Sequence, residues 1–268
     1  GICAPNVQFG SDAYFHYVNI RDITANVKSG VSSSCPTIIP FSNNAPVITH
    51  IKDYIIPMST PFVLTGSATD ADGDVLNYTW EQNDPESSSQ ANTATPTAFK
   101  TSGPVFRSIE GSTKSFRFFP NKNTILAGQT SNTWEVLPAV SRVLNFALTV
   151  RDNVAGGAQT ATDEMKVTVS NLSGPFIITS QNTTVSYPAG SNQTITWEVA
   201  STDQAPVNAR FVDIYLSTDN GSSFPILLAS KVPNDGSEIV TIPNSIGNNN
   251  RIMVRGFNSI FFEISNTT

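Results

Sequence analysis

Asp70-Ala-Asp72-Gly-Asp74 is the stretch of this chain best equipped for chemistry. Its three carboxylates alternate around a glycine, and a turn can converge them on one hard cation. Calcium suits such a site, because it accepts several oxygen ligands at flexible geometry. Asp152 follows a strand-like run and adds a fourth ligand if folding brings it close. The spacing matches only the start of an EF-hand loop, since the distal Glu is missing; Glu81 lies in a strand-like run instead. The competing reading is a plain turn, in which Asp side chains accept hydrogen bonds from nearby backbone N–H groups. Residue types alone leave both open.

Other chemistries lack their parts. The chain has two histidines, His16 and His50, and neither stands in an H-E-x-x-H pattern, so a zinc-hydrolase helix cannot be built from it. Glu81, Glu135 and Glu198 offer carboxylates, but nothing in the sequence pairs them for glycoside hydrolysis. No G-x-S-x-G elbow occurs among the many serines. Trp80 and Trp197 sit in alternating apolar runs and read as core residues rather than sugar platforms. Trp134, in a loop-like stretch beside Asn132 and Glu135, is the more exposed aromatic on this reading.

The elements that must position these residues are mostly strands. The 268 residues suffice for two domains, only 13% are charged, and no apolar run approaches a membrane span. Net charge is −6 with no basic stripe, which argues against nucleic acid. From Val47 to about Ser170, Leu76, Tyr78 and Trp80 alternate, as do Leu144, Phe146, Leu148 and Val150, and then Val167 and Val169. Period-two alternation puts one face of each strand on a core. Pro85 to Pro104 reads as a long polar loop. A second set follows from about Gly174: Ile195, Trp197 and Val199; Val212, Ile214 and Leu216; Ile252 and Val254; Ile260, Phe262 and Ile264. Asn220-Gly221 and Asn234-Asp-Gly are hairpin signals. Trp80-Glu81 and Trp197-Glu198 hint at related topology, and Phe261-Phe262 puts one ring outward, at a domain contact or an open edge.

The N-terminal segment differs. Ser11 or Asp12 can cap a helix that runs to about Ser29 and ends at Gly30. Ala13, His16, Ile20, Ile23 and Val27 share one helical face, with His16 a packed core histidine. Leaving that stripe in water is unfavourable, so the helix is expected to fold back on the β-domain or pair with a second copy. Cys3 and Cys35 bracket the segment. A disulfide between them would contribute about 3–4 kcal/mol in the chain-entropy model and imply an oxidising, extracellular setting. Two separate thiols are the alternative. Residues 37–46, with Pro40 and Pro46, form a stiff linker.

Two resemblances add to this reading. Gly1-Ile-Cys-Ala-Pro-Asn-Val-Gln and Ser11-Asp-Ala-Tyr-Phe-His-Tyr-Val-Asn-Ile-Arg-Asp-Ile resemble the last helix of a reprolysin-like (metzincin, M12B-type) zinc metalloprotease domain. The family's zinc helix is absent from this sequence, so zinc and proteolysis would belong to a parent protease domain outside it. Leu64-Thr-Gly-Ser-Ala-Thr-Asp-Ala-Asp-Gly-Asp, Leu76-Asn-Tyr-Thr-Trp-Glu-Gln and Leu148-Thr-Val-Arg-Asp-Asn resemble immunoglobulin-type modules of the PKD and cadherin-like kind.

The expected architecture is mainly β. Residues 1–36 are a disulfide-closed helical stub, 37–46 a linker, 47–172 a PKD/cadherin-like immunoglobulin-type β-sandwich, and 173–268 a second immunoglobulin/fibronectin-like one. The expected role is non-catalytic: binding and spacer modules of a secreted zinc metalloprotease, with the protease domain and an extracellular protein or glycan as partners. The alternative is an adhesin or carbohydrate-binding protein unrelated to proteolysis.

Overall fold

In the computed structural model, the chain is described over residues 10, 12–37, 39–86, 95–245, 247 and 249–266. The alternating runs become strands. In the middle region a four-stranded sheet has the order Tyr54–Pro57, Thr160–Ser170, Arg142–Arg151, Asn77–Gln82. The first pair is parallel and the other two are antiparallel. Phe62–Thr65 pairs with Phe116–Phe119 to form part of the second layer. The side chains between them, Phe62, Phe106, Phe119 and Phe146, cluster with ring centroids 4.9–6.3 Å apart.

The C-terminal region is a seven-stranded sandwich. Its first, second and fifth strands, Ile177–Ile178, Asn192–Glu198 and Ser237–Thr241, make one sheet. The fourth, third, sixth and seventh make the other, in the order Ile226–Pro233, Phe211–Ser217, Arg251–Gly256, Phe262–Ile264. A chain that switches sheets in this way is the Greek-key arrangement of immunoglobulin-type and fibronectin-type sandwiches.

Several sequence expectations meet the structure here. Trp80 and Trp197 are core residues, with their indole N–H groups donated to Ser115 O and Asn234 Oδ1. Their strands occupy different places: Trp80 lies on an edge strand of its sheet, Trp197 on the middle strand of its own. The hint of related topology therefore fails. Trp134 is half-buried, and it is the most exposed of the three tryptophans, as its loop-like surroundings imply. Asn220-Gly221 does turn the chain between two paired strands, with φ of +58° and +80°. Asn234-Asp-Gly does not make a hairpin; it carries the chain from one sheet to the other, because the buried Asn234 is held by Trp197, Thr202 and Ala209. The stretch read as a loop from Pro85 to Pro104 is pinned at its far end. Arg142 donates to Lys100 O and Gly103 O, and Gln82 Oε1 accepts from the N–H groups of Val105 and Phe106.

Phe261 and Phe262 are both fully buried, because each meets the middle sandwich on a different side. Phe261 bridges to Phe62 and packs on Phe176; Phe262 packs on Phe118. One continuous apolar cluster runs from Ile56 and Phe62 through Phe176 and Phe261 to Ile214 and Val254. The two sandwiches share a core across the short Ser173-Gly174-Pro175 connection.

The helix starts later than expected, at Tyr17, and ends at Ser29, where Gly30 N–H bonds back to Ala25 O and Asn26 O. Tyr14, Phe15 and His16 are instead tied by hydrogen bonds to the middle sandwich. Tyr14 Oη meets Ser108 Oγ at 2.7 Å, and Arg151 donates to Phe15 O at 2.7 Å. His16 is therefore no packed core histidine. Its Nδ1 donates to Glu81 Oε1 at 2.5 Å while much of the ring stays in water. Glu81 Oε2 accepts from Tyr17 N–H at 2.9 Å. A carboxylate from a distant strand thus satisfies the helix N-terminus, where negative charge is favoured. Ile23 and Val27 remain exposed, so only the N-terminal end of the helix folds back. Cys35 is exposed; Cys3, and with it the expected disulfide, lies outside the described residues, as does Ser11.

Candidate metal centre

Strand Ala68–Thr69 delivers the chain into the turn that holds Asp70, Asp72 and Asp74, and Asn77–Gln82 takes it away. Gly73 has φ of +81°, a conformation that favours glycine at the turn. The turn brings one oxygen from each of the three carboxylates within 4.8 Å of one another.

Part of the plain-turn reading is present. Asp70 Oδ1 accepts from Asp72 N at 2.9 Å and from Asp74 N at 3.2 Å. The rest of the cluster is not accounted for by local bonds. Asp70 Oδ2 is buried and has no hydrogen-bond partner. Burial and the charges of Asp70, Asp72 and Asp152 push the Asp74 carboxyl above the usual carboxylate range. A buried anionic oxygen without a donor is costly, and a cation is one way to satisfy it.

The linker closes over this turn. Asn44 N–H donates to Asp72 Oδ2 at 2.7 Å, and its side-chain amide reaches both Asp72 oxygens at 3.1 and 3.2 Å. Asn43 donates from Nδ2 to Asp152 Oδ2 at 2.7 Å, and its carbonyl accepts from Gln159. Asp152 is buried and stands outside the three-carboxylate group. Burial works to raise its carboxyl, but the N–H groups of Gln159 and Val154 and the Asn43 amide hold it below the usual range. Asp152 therefore anchors the linker, and the linker in turn contacts Asp72. The sequence marks Asn43 and Asn44 only as linker residues; their contribution depends on a contact across about 30 to 110 positions of sequence.

Asp219, in the Asn-Gly turn of the C-terminal sandwich, is a useful contrast. Ser217 Oγ, Ser223 Oγ and Ser223 N–H all donate to it, and those bonds hold its carboxyl down to about 2. Here the donors are two hydroxyls and one amide of the same turn. The Asp70–Asp74 turn has the opposite balance, with charge concentrated and donors short.

Glu81 and Glu135 do not form a hydrolytic pair. Glu81 is taken up by His16, Tyr17 and Ser108. Glu135 is buried against Arg117 at 2.7 Å and Asn121 at 2.7 and 2.9 Å. Glu198 lies exposed on its strand. No helix among the described residues is long and apolar enough to cross a membrane.

No family model and no curated protein matches this chain. Among solved structures it is similar to the tandem Ig repeats of Dlar, at 13% identity over 83% of this chain and 95% of that one, with a TM-score of 0.38. It is similar also to a chimeric titin Z1Z2 functionalized with a peptide from decorin (9% identity, 84% and 96% covered, TM-score 0.27). Domains FN1–FN3 of chicken CNTN1 give 11% identity, 84% and 63% covered, and a TM-score of 0.27. Likeness at this level carries no argument about ligand or partner, and the sandwich architecture rests on the strand order itself.

Proposed function

We propose that this chain is a non-catalytic binding and spacer region of an extracellular protein, stiffened by calcium at Asp70, Asp72 and Asp74. The observation that carries it is Asp70 Oδ2, buried without a partner inside a group of three carboxylates. The donor set is all oxygen, as calcium prefers. A cation there neutralises the crowded turn. Because Asn44 is bound to Asp72 and Asn43 to Asp152, the same cation tightens the linker against the sandwich. Asp152 acts by holding that linker rather than as a ligand. A fixed linker angle and a shared apolar core are what a spacer needs to hold a neighbouring domain at a set distance.

The finer reading is that the region follows a secreted zinc metalloprotease domain. It is supported by the resemblance of residues 1–35 and by a helix that keeps Ile23 and Val27 at its surface. An H-E-x-x-H-x-x-G-x-x-H run encoded before Gly1 is the observation this parent requires. Without it, the adhesin reading takes its place.

Calcium is tested directly by thermal unfolding. Millimolar calcium should raise the melting temperature and chelator should reverse it, because a ligand of the native state stabilises by RT ln(1 + [L]/Kd). D70N with D72N should abolish the shift. The shift should also fade on acidification, beginning above the usual aspartate range, because the Asp74 carboxyl takes up its proton early. A melt that ignores calcium at pH 7 defeats the metal assignment.

A further inference from the structure

Beside the seam, the two sandwiches leave a cleft of about 660 Å³, with residues 52–55 on one wall and 206–211, 231 and 257–259 on the other. Its charge is opposite to that of the molecule. The chain carries −6 overall, yet three cations, Lys52, Arg210 and Lys231, line the cleft against one carboxylate, Asp53. All three cations are exposed, and none belongs to an ion pair among the described residues. Asp53 is already engaged, since its Oδ1 accepts from Lys166 N–H at 2.7 Å.

Lys231 is placed by a defect in its strand. Ser230 and Lys231 together stand opposite the single residue Asp213, between the pairs Val212–Val232 and Ile214–Ala229, which is a β-bulge. Asp213 Oδ1 fastens the bulge by accepting from Lys231 N–H and Ser230 Oγ, both at 2.8 Å. That carboxylate therefore meets the backbone of Lys231. The bulge holds Lys231 at φ +52° and re-aims its side chain. The ammonium ends 5.6 Å from the ring centroids of both Phe211 and Phe257. Two ring faces thus position the charge and leave it without a counter-ion.

The facing wall offers backbone. Tyr54–Pro57 is the outermost strand of its sheet. Met58 N–H bonds to Ser170 O on the neighbouring strand, so Ile56 and Tyr54, two and four positions earlier, face that strand as well. Asp53 and Ile55 turn their N–H and C=O groups the other way. Pro57, next in that row, has no N–H, so the donors end there. Asp53 and Ile55 line the cleft and no residue of Thr160–Ser170 does, so the cleft runs along the open edge.

An open edge takes up an extended peptide by main-chain pairing, and the flanking side chains select which peptide. Unpaired cations beside it select carboxylates. We infer that this cleft binds an acidic peptide segment as an added strand. The segment's backbone pairs with Asp53 and Ile55, and its Asp or Glu side chains meet Lys52, Arg210 and Lys231. Cations alone would suit any polyanion; the free edge beside them favours a polypeptide. The site deepens the binding-module reading, on which it rests, by naming the partner's chemistry. It shares no residue with the carboxylate turn, so it does not depend on calcium.

The probe is a fluorescein-labelled octapeptide of alternating Glu and Thr, titrated into the full chain by fluorescence anisotropy, with calcium and with chelator. It should bind saturably and equally in both conditions, with a dissociation constant on the order of 0.1 mM at low salt. High salt should weaken it at least tenfold, because exposed charges are screened. The same peptide N-methylated at every residue keeps its charge but cannot pair, and should bind at least tenfold more weakly. Lys231→Glu should cost at least tenfold. Arg210→Glu, at an exposed position outside the bulge, should do the same and keeps the test valid if the first variant fails to fold. Absence of saturable binding overturns the proposal. So does binding of the N-methylated peptide within twofold of its parent, or binding that neither substitution changes by more than twofold. Tighter binding of a chondroitin sulfate hexasaccharide or of oligothymidylate, lost in the same variants, assigns the cleft to another polymer and overturns it too. None of these results bears on the calcium melt, which reads the carboxylate turn by itself.

Discussion

The seam between the sandwiches and the seat of the N-terminal helix are two solutions to the same problem of attaching one element to another. The seam is apolar. Phe62, Phe176 and Phe261 interlock there, and the backbone joins in through Val63 N–H to Ile260 O and Phe262 N–H to Pro61 O, both at 3.0 Å. The helix seat is polar. It consists of Glu81 with His16, Tyr17 and Ser108, and of Arg151 with Phe15 O, while Ile23 and Val27 face water. Apolar burial is indifferent to protonation and scales with area. A carboxylate–imidazole contact depends on both partners keeping their charge. The molecule therefore welds its sandwiches and latches its stub.

The largest effect should come from breaking the weld. Phe261→Ala should cost about 3–5 kcal/mol, as truncation of a buried phenylalanine usually does. Hydrogen exchange should then show both sandwiches losing protection together. Loss confined to the C-terminal sandwich would mean that the seam is a contact and not a shared core.

Glu81→Gln should act next. A hydrogen bond to a charged group contributes about 1.5–3 kcal/mol, and the amide keeps the shape but not the charge. Trypsin cleavage at Arg21 and Lys28 should accelerate, while the unfolding of the sandwiches moves less. Unchanged cleavage would show that the helix is held by something other than Glu81.

The latch should also have a pH window. The hydrogen bond to Glu81 raises His16 above its ordinary 6.5, so His16 contributes fully below that pH and less as pH climbs through its raised value. For Glu81, burial works to raise the carboxyl, but His16, Ser108 and Tyr17 N–H together hold it below 4.5. Its contribution is present above 4.5 and is lost as pH falls through the lowered value. Protection of the helix from exchange should be greatest between pH 4.5 and 6.5. In proton NMR, His16 should titrate above 6.5; a midpoint at or below that value would remove the pairing.

The smallest effect is expected on the stripe itself. Ile23→Ser and Val27→Ser should each change stability by no more than about 0.5 kcal/mol, the usual range for exposed positions. A larger loss would mean that the helix face is covered in solution.

The strands themselves were legible because alternation is a local signal. Leu144, Phe146, Leu148 and Val150 must point one way once the backbone is extended, and Ile252 and Val254 likewise. The turn at Asp70–Asp74 was legible for the same reason: its carboxylates lie within five residues, so any turn brings them together. Residues acting across distance were not. Glu81 alternates outward from Trp80 and reads as a solvent-facing carboxylate, yet it is 4% exposed because the stub covers that face. Phe261, just before the last strand, and Phe262, its first residue, point to opposite sides, and only the docking of the middle sandwich buries both. Asp152 and Asn43 are more than 100 positions apart and meet only after the sheet has formed. Periodicity reports which face of an element is apolar. It carries no information about which distant element comes to rest there, and the helix seat, the seam and the linker strap are all decisions of that second kind.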